Sequence, residues 1–431
     1  MRKTLFGILI SLLTVAAWCG DTVIEHYRDA ASLARAAVAA QDYATALDQY
    51  RRLLAIAPYD PDISHEIARL HALRGETAPA LARLEKALEL GFDPGPRLDP
   101  AFDALREQPG FAAIRRRLAD IRQPVNSSRI AFTISTPNMI PEGIAWDPVA
   151  DRFYVGSIWQ CKILKVDRQG RFTDFTTQKQ DGLRHVLGMK VDAERRHLWV
   201  ASEVGRIARQ GIDPADVGWS GLLKYDLTTG RLIKKHTLQE NGVIHLFNDI
   251  ALTARGDVFV TDSEYGAVYT VPAATDTLEL FIPPGELIYP NGITRGASDD
   301  VLYVSSSGNT VYRVDVKSRR YRPLDQPDDI SLYGIDGMVF HGNSLVCVQN
   351  GLNRISRFFL NPAGDAVTRL QVIETRHPRF DIPTTGVMAG DTFHYIANAQ
   401  LRRLLADGTL APAPGGDEIV ILAADMGPAS E

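Results

Sequence analysis

The sequence predicts a multidomain chain: a small all-α region of repeated helices followed by an all-β, six-bladed propeller. Three observations carry this. Residues 21–122 show helical spacing with a 34-residue period, the rest alternates short β runs with turn residues, and six of those runs share one form. At 431 residues the chain is also too long for one ordinary core.

The chain begins with Arg2 and Lys3, an apolar run from Leu5 to Ala17, and small residues at Ala16 and Ala17. That is the form of an export leader, and the run is shorter than the roughly 20 residues a bilayer span needs. Residues 1–20 are therefore expected to be a signal peptide, and the mature protein periplasmic or secreted. Bulky Trp18 before Cys19 favours soluble export over a lipid anchor. Of the remaining cysteines, Cys161 and Cys347 fall in different repeats, so separate buried thiols are expected rather than a disulfide framework.

In residues 21–122, Ala46, Tyr50, Leu53 and Leu54 recur 34 positions on as Ala80, Leu84, Ala87 and Leu88, and Leu33 recurs as Ile67. Small alanines let paired helices approach closely. Two repeats are expected, then a capping helix from Pro100 to about Ile121. The region resembles tetratricopeptide repeats, which implies either a docking module for a protein partner or packing against the second domain. Pro124, Asn126, Ser127 and Ser128 read as a short polar linker.

Residues 128–425 carry the propeller pattern. Six segments place a residue X before Gly or Asp and an apolar residue, then a turn and an apolar strand. The X residues are Glu142, Leu187, Asn248, Asn291, Asp336 and Thr385, at intervals of 45, 61, 43, 45 and 49. Four strands in each interval is the arithmetic of a blade. Outer strands are expected at both ends of this region, from Arg129 and from Glu418, with one or both closing the last blade. The longest interval holds an insertion near Glu203–Ser220, either a lid or a plain surface loop.

The first strand of each blade lines the central channel, so the X residues converge on the axis. Four of them bear oxygen ligands: Glu142, Asn248, Asn291 and Asp336. Two confined carboxylates repel each other, and two amide carbonyls add acceptors, so the set calls for a hard cation. Ca²⁺, which takes six to eight oxygens in flexible geometry, fits such donors. No Cys or His stands at X, which disfavours Zn²⁺.

The segments Pro141-Glu142-Gly143, Asn248-Asp249-Ile250, Pro290-Asn291-Gly292-Ile293 and Ile335-Asp336-Gly337-Met338 resemble those of the gluconolactonase/regucalcin (senescence marker protein) superfamily. Paraoxonase and diisopropylfluorophosphatase are its relatives. The resemblance covers about residues 130–425. It implies a six-bladed propeller, Ca²⁺ ligation by Glu142, Asn248, Asn291 and Asp336, and hydrolysis of lactones or related esters. Departures shape the expectation. Leu246 stands where sugar-lactone members carry Arg, pointing away from a gluconate-like substrate. Leu187 stands where paraoxonases carry a catalytic His, and Gly143 where they have a second acid. Asp249 is a further carboxylate for a second, structural ion.

The expected mechanism has Ca²⁺ polarising the substrate carbonyl, with Asp336 as general base and His185 and His245 as weaker candidates. Leu187, Leu246 and Thr385 suggest a substrate of apolar character. The alternative is a non-catalytic binding propeller that docks a protein or glycan, the helical repeats being a second interaction module. A strictosidine-synthase-like enzyme needs no such ligand set. The net charge of −5 gives no reason to expect nucleic acid or an anionic membrane as partner. No Gly-x-Ser-x-Gly elbow or phosphate loop is present.

Overall fold

Local capping chemistry starts most of the N-terminal helices. The computed structural model describes residues 22–95, 99–207, 209, 211–306, 308, 310–413 and 416–428. The expected leader at residues 1–20 lies outside them. Helix α1 (Val23–Ala39) opens on a capping box, in which Thr22 and Glu25 satisfy each other's backbone amides. Asp42 caps α2 (Tyr43–Ile56), and Asp60 caps α3 (Pro61–Leu73), with Pro61 in the first turn. Helix α4 (Thr77–Glu89) follows, and successive helices pack together. The 34-residue equivalence holds at Ala46 and Ala80, both fully buried. It fails for Leu33, which is 54% exposed whereas Ile67 is 1% exposed. The reason is a phase change: α2 and α4 start 34 residues apart, but α1 and α3 start at Val23 and Pro61. The expected single capping helix is also broken. A 3₁₀ turn, Pro100–Leu105, is separated from α5 (Phe111–Ile121) where Pro109 and Gly110 interrupt the helical pattern. No helix among the described residues is long and apolar enough to cross a membrane.

The β region forms six antiparallel sheets, so the six-bladed propeller stands. The inner strands are Pro141–Asp147, His185–Asp192, Phe247–Leu252, Pro290–Arg295, Ile335–Phe340 and Gly386–Ala389. Their alternate residues bury both faces because each blade is covered on two sides. Six apolar clusters result, one between each neighbouring pair of blades. Ring closure uses both candidate strands: Ser128–Ser135 is the outermost strand of the sixth blade and pairs with Glu418–Asp425. The expected linker is partly structured, since Val125–Asn126 adds a fifth strand to the fifth blade beside Val367–Thr375. Cys161 and Cys347 are separate, buried and free.

The helices rest on one face of the propeller, over blades three to five. Val23 N–H donates to the Gly285 carbonyl, and Arg28 binds Glu264 and the Tyr289 hydroxyl. Tyr59 and Lys86 bond Asp328, and Ser331 donates to the Tyr59 carbonyl. Asp93 pairs with Arg376. All these propeller residues lie in loops that enter an inner strand or follow a second strand. The helices therefore cover the face on which the X residues open.

Candidate metal centre at the channel mouth

A repeated register places the X residues. In the first five blades the inner strand shifts register across the X-Gly (or X-Asp) pair. Such a bulge re-aims the side chain it carries. Glycine after X lets neighbouring strands meet at the hub. A Cβ at Gly292 would lie 2.5 Å from the Asp336 carbonyl oxygen, and one at Gly143 would collide with the Leu187 carbonyl. The residue before X pairs with Ser157, Ser202, Asp262, Ser306 or Gln349 in successive blades. Each of these buried polar groups holds the loop that leads into X. Leu246 N–H, for example, donates to Asp262 Oδ1 at 2.9 Å, and Gln349 Nε2 donates to the Tyr333 carbonyl at 2.8 Å.

The structure brings Asn291 and Asp336 together directly: Asn291 Nδ2 donates to Asp336 Oδ1 at 2.8 Å. Asn350 Nδ2 donates to Asp336 Oδ2 at 2.6 Å. Both Asp336 oxygens are therefore engaged, and each keeps a lone pair. Asn248 Nδ2 donates to Ser263 Oγ at 3.0 Å, which turns its carbonyl the other way. Glu142 and Asp336 are 5% and 6% exposed. Glu142 Oε2 and Asn291 Oδ1 are buried acceptors without a hydrogen-bond partner. Thr384 and Thr385 donate to the Glu142 backbone carbonyl, joining the sixth blade to the first.

Burial pushes the Glu142 carboxyl well above the carboxylate range, and the charges of Asp336, Asp249 and Glu203 add to this. Burial likewise raises Asp336, with Asp249 adding and the Asn291 hydrogen bond opposing. A lone buried ion costs several kcal/mol. Two crowded carboxylates, one of them with a bare oxygen, beside the bare Asn291 carbonyl are a poor arrangement without a cation and a good one with a hard cation. The residues fit Ca²⁺. Among the described residues no group of three or more His, Cys, Asp and Glu is set to hold a metal; here half of the donor set is amide.

Asp249 has another task. Its carboxylate accepts from Ile250 N–H at 2.8 Å and Ile293 N–H at 3.2 Å, and Lys190 lies 3.6 Å away. It ties three blades together with a lysine as its countercharge, which does not suit a second ion.

Sequence reasoning missed Asn350, Glu203 and Ser263. The register puts each next to the residue paired with X−1, hence alongside X. The signal is the polar residue that ends or follows each repeat's second apolar strand. Glu203 Oε1 meets His185 Nδ1 at 3.0 Å, leaving His185 Nε2 and Glu203 Oε2 buried without partners. His245 is paired in the same way, its Nδ1 meeting Asp262 Oδ2 at 2.6 Å and its Nε2 buried without a partner, but it is fully buried with Tyr265 and Tyr269 packed against the ring.

The remainder of the mouth is apolar. Ile140, Ile158 and Leu187 form a buried cluster, and Trp159, Leu246, Leu401, Leu404 and Leu410 pack on it. The insertion after Glu203 lies on this face, where Arg209 donates to the Leu405 carbonyl at 2.7 Å.

No family model and no curated protein matches the chain. Solved structures that it resembles include a gluconolactonase from Xanthomonas campestris (15% identity, 71% of this chain and 92% of that one, TM-score 0.48). Another is the calcium-binding protein regucalcin from Agrobacterium tumefaciens (16%, 70% and 93%, 0.49). A third is the PQQ-bound aldose sugar dehydrogenase from Streptomyces coelicolor (15%, 69% and 97%, 0.46). At this distance the likeness is one of architecture and does not choose among their chemistries.

Proposed function

We propose that this chain is a Ca²⁺-dependent hydrolase of lactones or related carboxylic esters, exported by its leader and working at the channel mouth. One observation carries the reading: Asn291 Oδ1 and one oxygen of the Glu142 carboxylate, Oε2, are bare buried acceptors, and the charge of Asp336 crowds that carboxylate. Glu142, Asn248, Asn291 and Asp336 would hold the ion. Bound there, Ca²⁺ would supply Lewis-acid polarisation of the carbonyl and stabilise developing negative charge.

The chain's own groups do the rest. Asn291 and Asn350 fix the Asp336 carboxylate by one hydrogen bond to each oxygen. Its remaining lone pairs can accept the proton of an attacking water, which makes Asp336 the general base. His185, held by Glu203 with Nε2 free, is the second candidate on the same face. Leu187, Leu246, Ile158 and Trp159 favour an apolar acyl or alcohol group and exclude water around it.

The test is hydrolysis of a panel of γ- and δ-lactones and aryl esters, with EDTA and with Ca²⁺ restored. Turnover that disappears with chelator and returns with Ca²⁺ is expected. Turnover indifferent to chelator, or none from any substrate, sinks the proposal.

A further inference from the structure

A second polar site lies where the helices meet the fifth blade. A cavity of about 620 Å³ opens there, lined by Gly91, Asp93 and Asp120 on the helical side and by Asn350, Arg354 and Arg376 on the propeller side. Arg354 is 8% exposed. Its Nε donates to Gln349 Oε1 at 2.8 Å, an oxygen that also accepts from Ser356 Oγ at 2.7 Å. Its Nη2 is buried and has no hydrogen-bond partner. Among the described residues no carboxylate lies within ion-pair distance of this guanidinium, and burial alone lowers its pKa to about 10. Of the other two arginines of the cavity, Arg402 pairs with Asp381 and Arg376 shares Asp93 with Arg122.

A buried guanidinium with a free donor needs an anion. With Asp93 shared by Arg122 and Arg376, the four arginines Arg122, Arg354, Arg376 and Arg402 exceed Asp93, Asp120 and Asp381 by one positive charge, which suits a monoanion better than a dianion such as phosphate. The volume admits a small organic molecule. We propose that this cleft binds the carboxylate of a small organic acid, with Arg354 as its counter-ion. Asn350 lines the cleft and also holds Asp336, so the cleft borders the channel mouth without sharing its donor set.

The experiment uses the full chain in EDTA, so that its outcome is independent of metal-dependent hydrolysis. Hexanoate and inorganic phosphate serve as probes, read by titration calorimetry and by thermal unfolding. Hexanoate should bind one to one, raise the unfolding temperature, and bind more tightly than phosphate. Arg354→Met keeps the stem volume and removes the unmatched charge. It should lose at least tenfold in hexanoate affinity, with an unfolding temperature in EDTA alone equal to or above that of the unsubstituted protein. Should that variant fail to fold, Arg354→Lys, which keeps the charge but not the fork, should still bind more weakly. Equal hexanoate affinity in the folded variant, tighter binding of phosphate, or no hexanoate binding at millimolar concentration would each overturn the proposal.

Discussion

The two sides of the channel mouth are built differently. Over the sixth, first and second blades the propeller's own loops form an apolar roof around Leu187 and Leu246. Over the third to fifth blades the cover is the helical region, fastened by charged and polar contacts at Glu264, Tyr289 and Asp328. The proposed ligands come from blades on both sides, but every direct hydrogen bond to Asp336 comes from the polar side, from Asn291 and Asn350. Under the proposed function, the helical side fixes the Asp336 carboxylate and the roof side supplies the apolar contacts.

The sharpest way to break that division is at the carboxylates. Asp336→Ala should lower kcat/KM by at least about a hundredfold, roughly 3 kcal/mol of transition-state stabilisation. Glu142→Gln should abolish the rise in unfolding temperature on adding Ca²⁺. In EDTA the same variant should unfold at a higher temperature than the unsubstituted protein, because a buried, repelled carboxylate has been removed. A Glu142→Gln variant that still gains stability from Ca²⁺ contradicts the proposed ligand set.

The helical side contains its own buried charge. Burial pushes the Asp60 carboxyl up to about 7, against about 3.9 in an unfolded chain. Between these values the folded state holds a proton that the unfolded state has released. Asp60 therefore costs stability progressively as pH rises from about 4 to about 7, and the cost is constant above that. Asp60→Asn keeps an acceptor for the amides of Asp62 and Ile63 and removes the charge. It should stabilise the protein by about 2–4 kcal/mol at pH 8 and by almost nothing at pH 4. Paired denaturant melts at the two pH values decide; an equal difference at both refutes the assignment.

The blade count and the phase of the X residues were legible because the blades repeat one instruction, an X-Gly or X-Asp pair, bulged in the first five blades, followed by an apolar strand. Part of the apolar side of the mouth was visible in Leu187, which stands at an X position, and in Leu246 through the family resemblance. Asn350 and Glu203 were missed because their positions depend on strand register, which the spacing of apolar residues does not fix to one residue. The 34-residue period hid the different spacing of α1 and α3, so Leu33 and Ile67 match in the sequence while Leu33 faces out and Ile67 is buried. Where the helices dock was illegible, because those contacts join residues more than two hundred positions apart, such as Arg28 and Glu264.

On the apolar side the expected effect is smaller. Leu246→Ala should lower kcat/KM for long-chain aryl esters about tenfold, in line with the 1–3 kcal/mol that apolar pocket contacts supply. The Ca²⁺ concentration giving half-maximal activity should not move, since the Leu246 side chain packs in the roof cluster and the substitution keeps the backbone N–H that holds the loop into Asn248. A shift in that midpoint would mean that the roof positions the ion and the two sides are not separable.

The two sides meet at one carboxylate. Glu264 Oε2 accepts from Arg28 of α1 at 2.9 Å and from Arg206 of the insertion at 2.6 Å. Both arginines are partly exposed, at 28% and 56%, so solvent screens each pair. Arg28→Ala alone should cost about 1 kcal/mol, including its stacking on Tyr289. Arg206→Ala should cost less. Either single change leaves Glu264, itself 14% exposed, with one partner. The double change leaves it with neither, and so should cost more than the two single losses added. Urea melts of the four proteins in low and high salt measure the excess, which should shrink with salt. Strict additivity would mean that Glu264 is no shared anchor and that roof and helices are held independently.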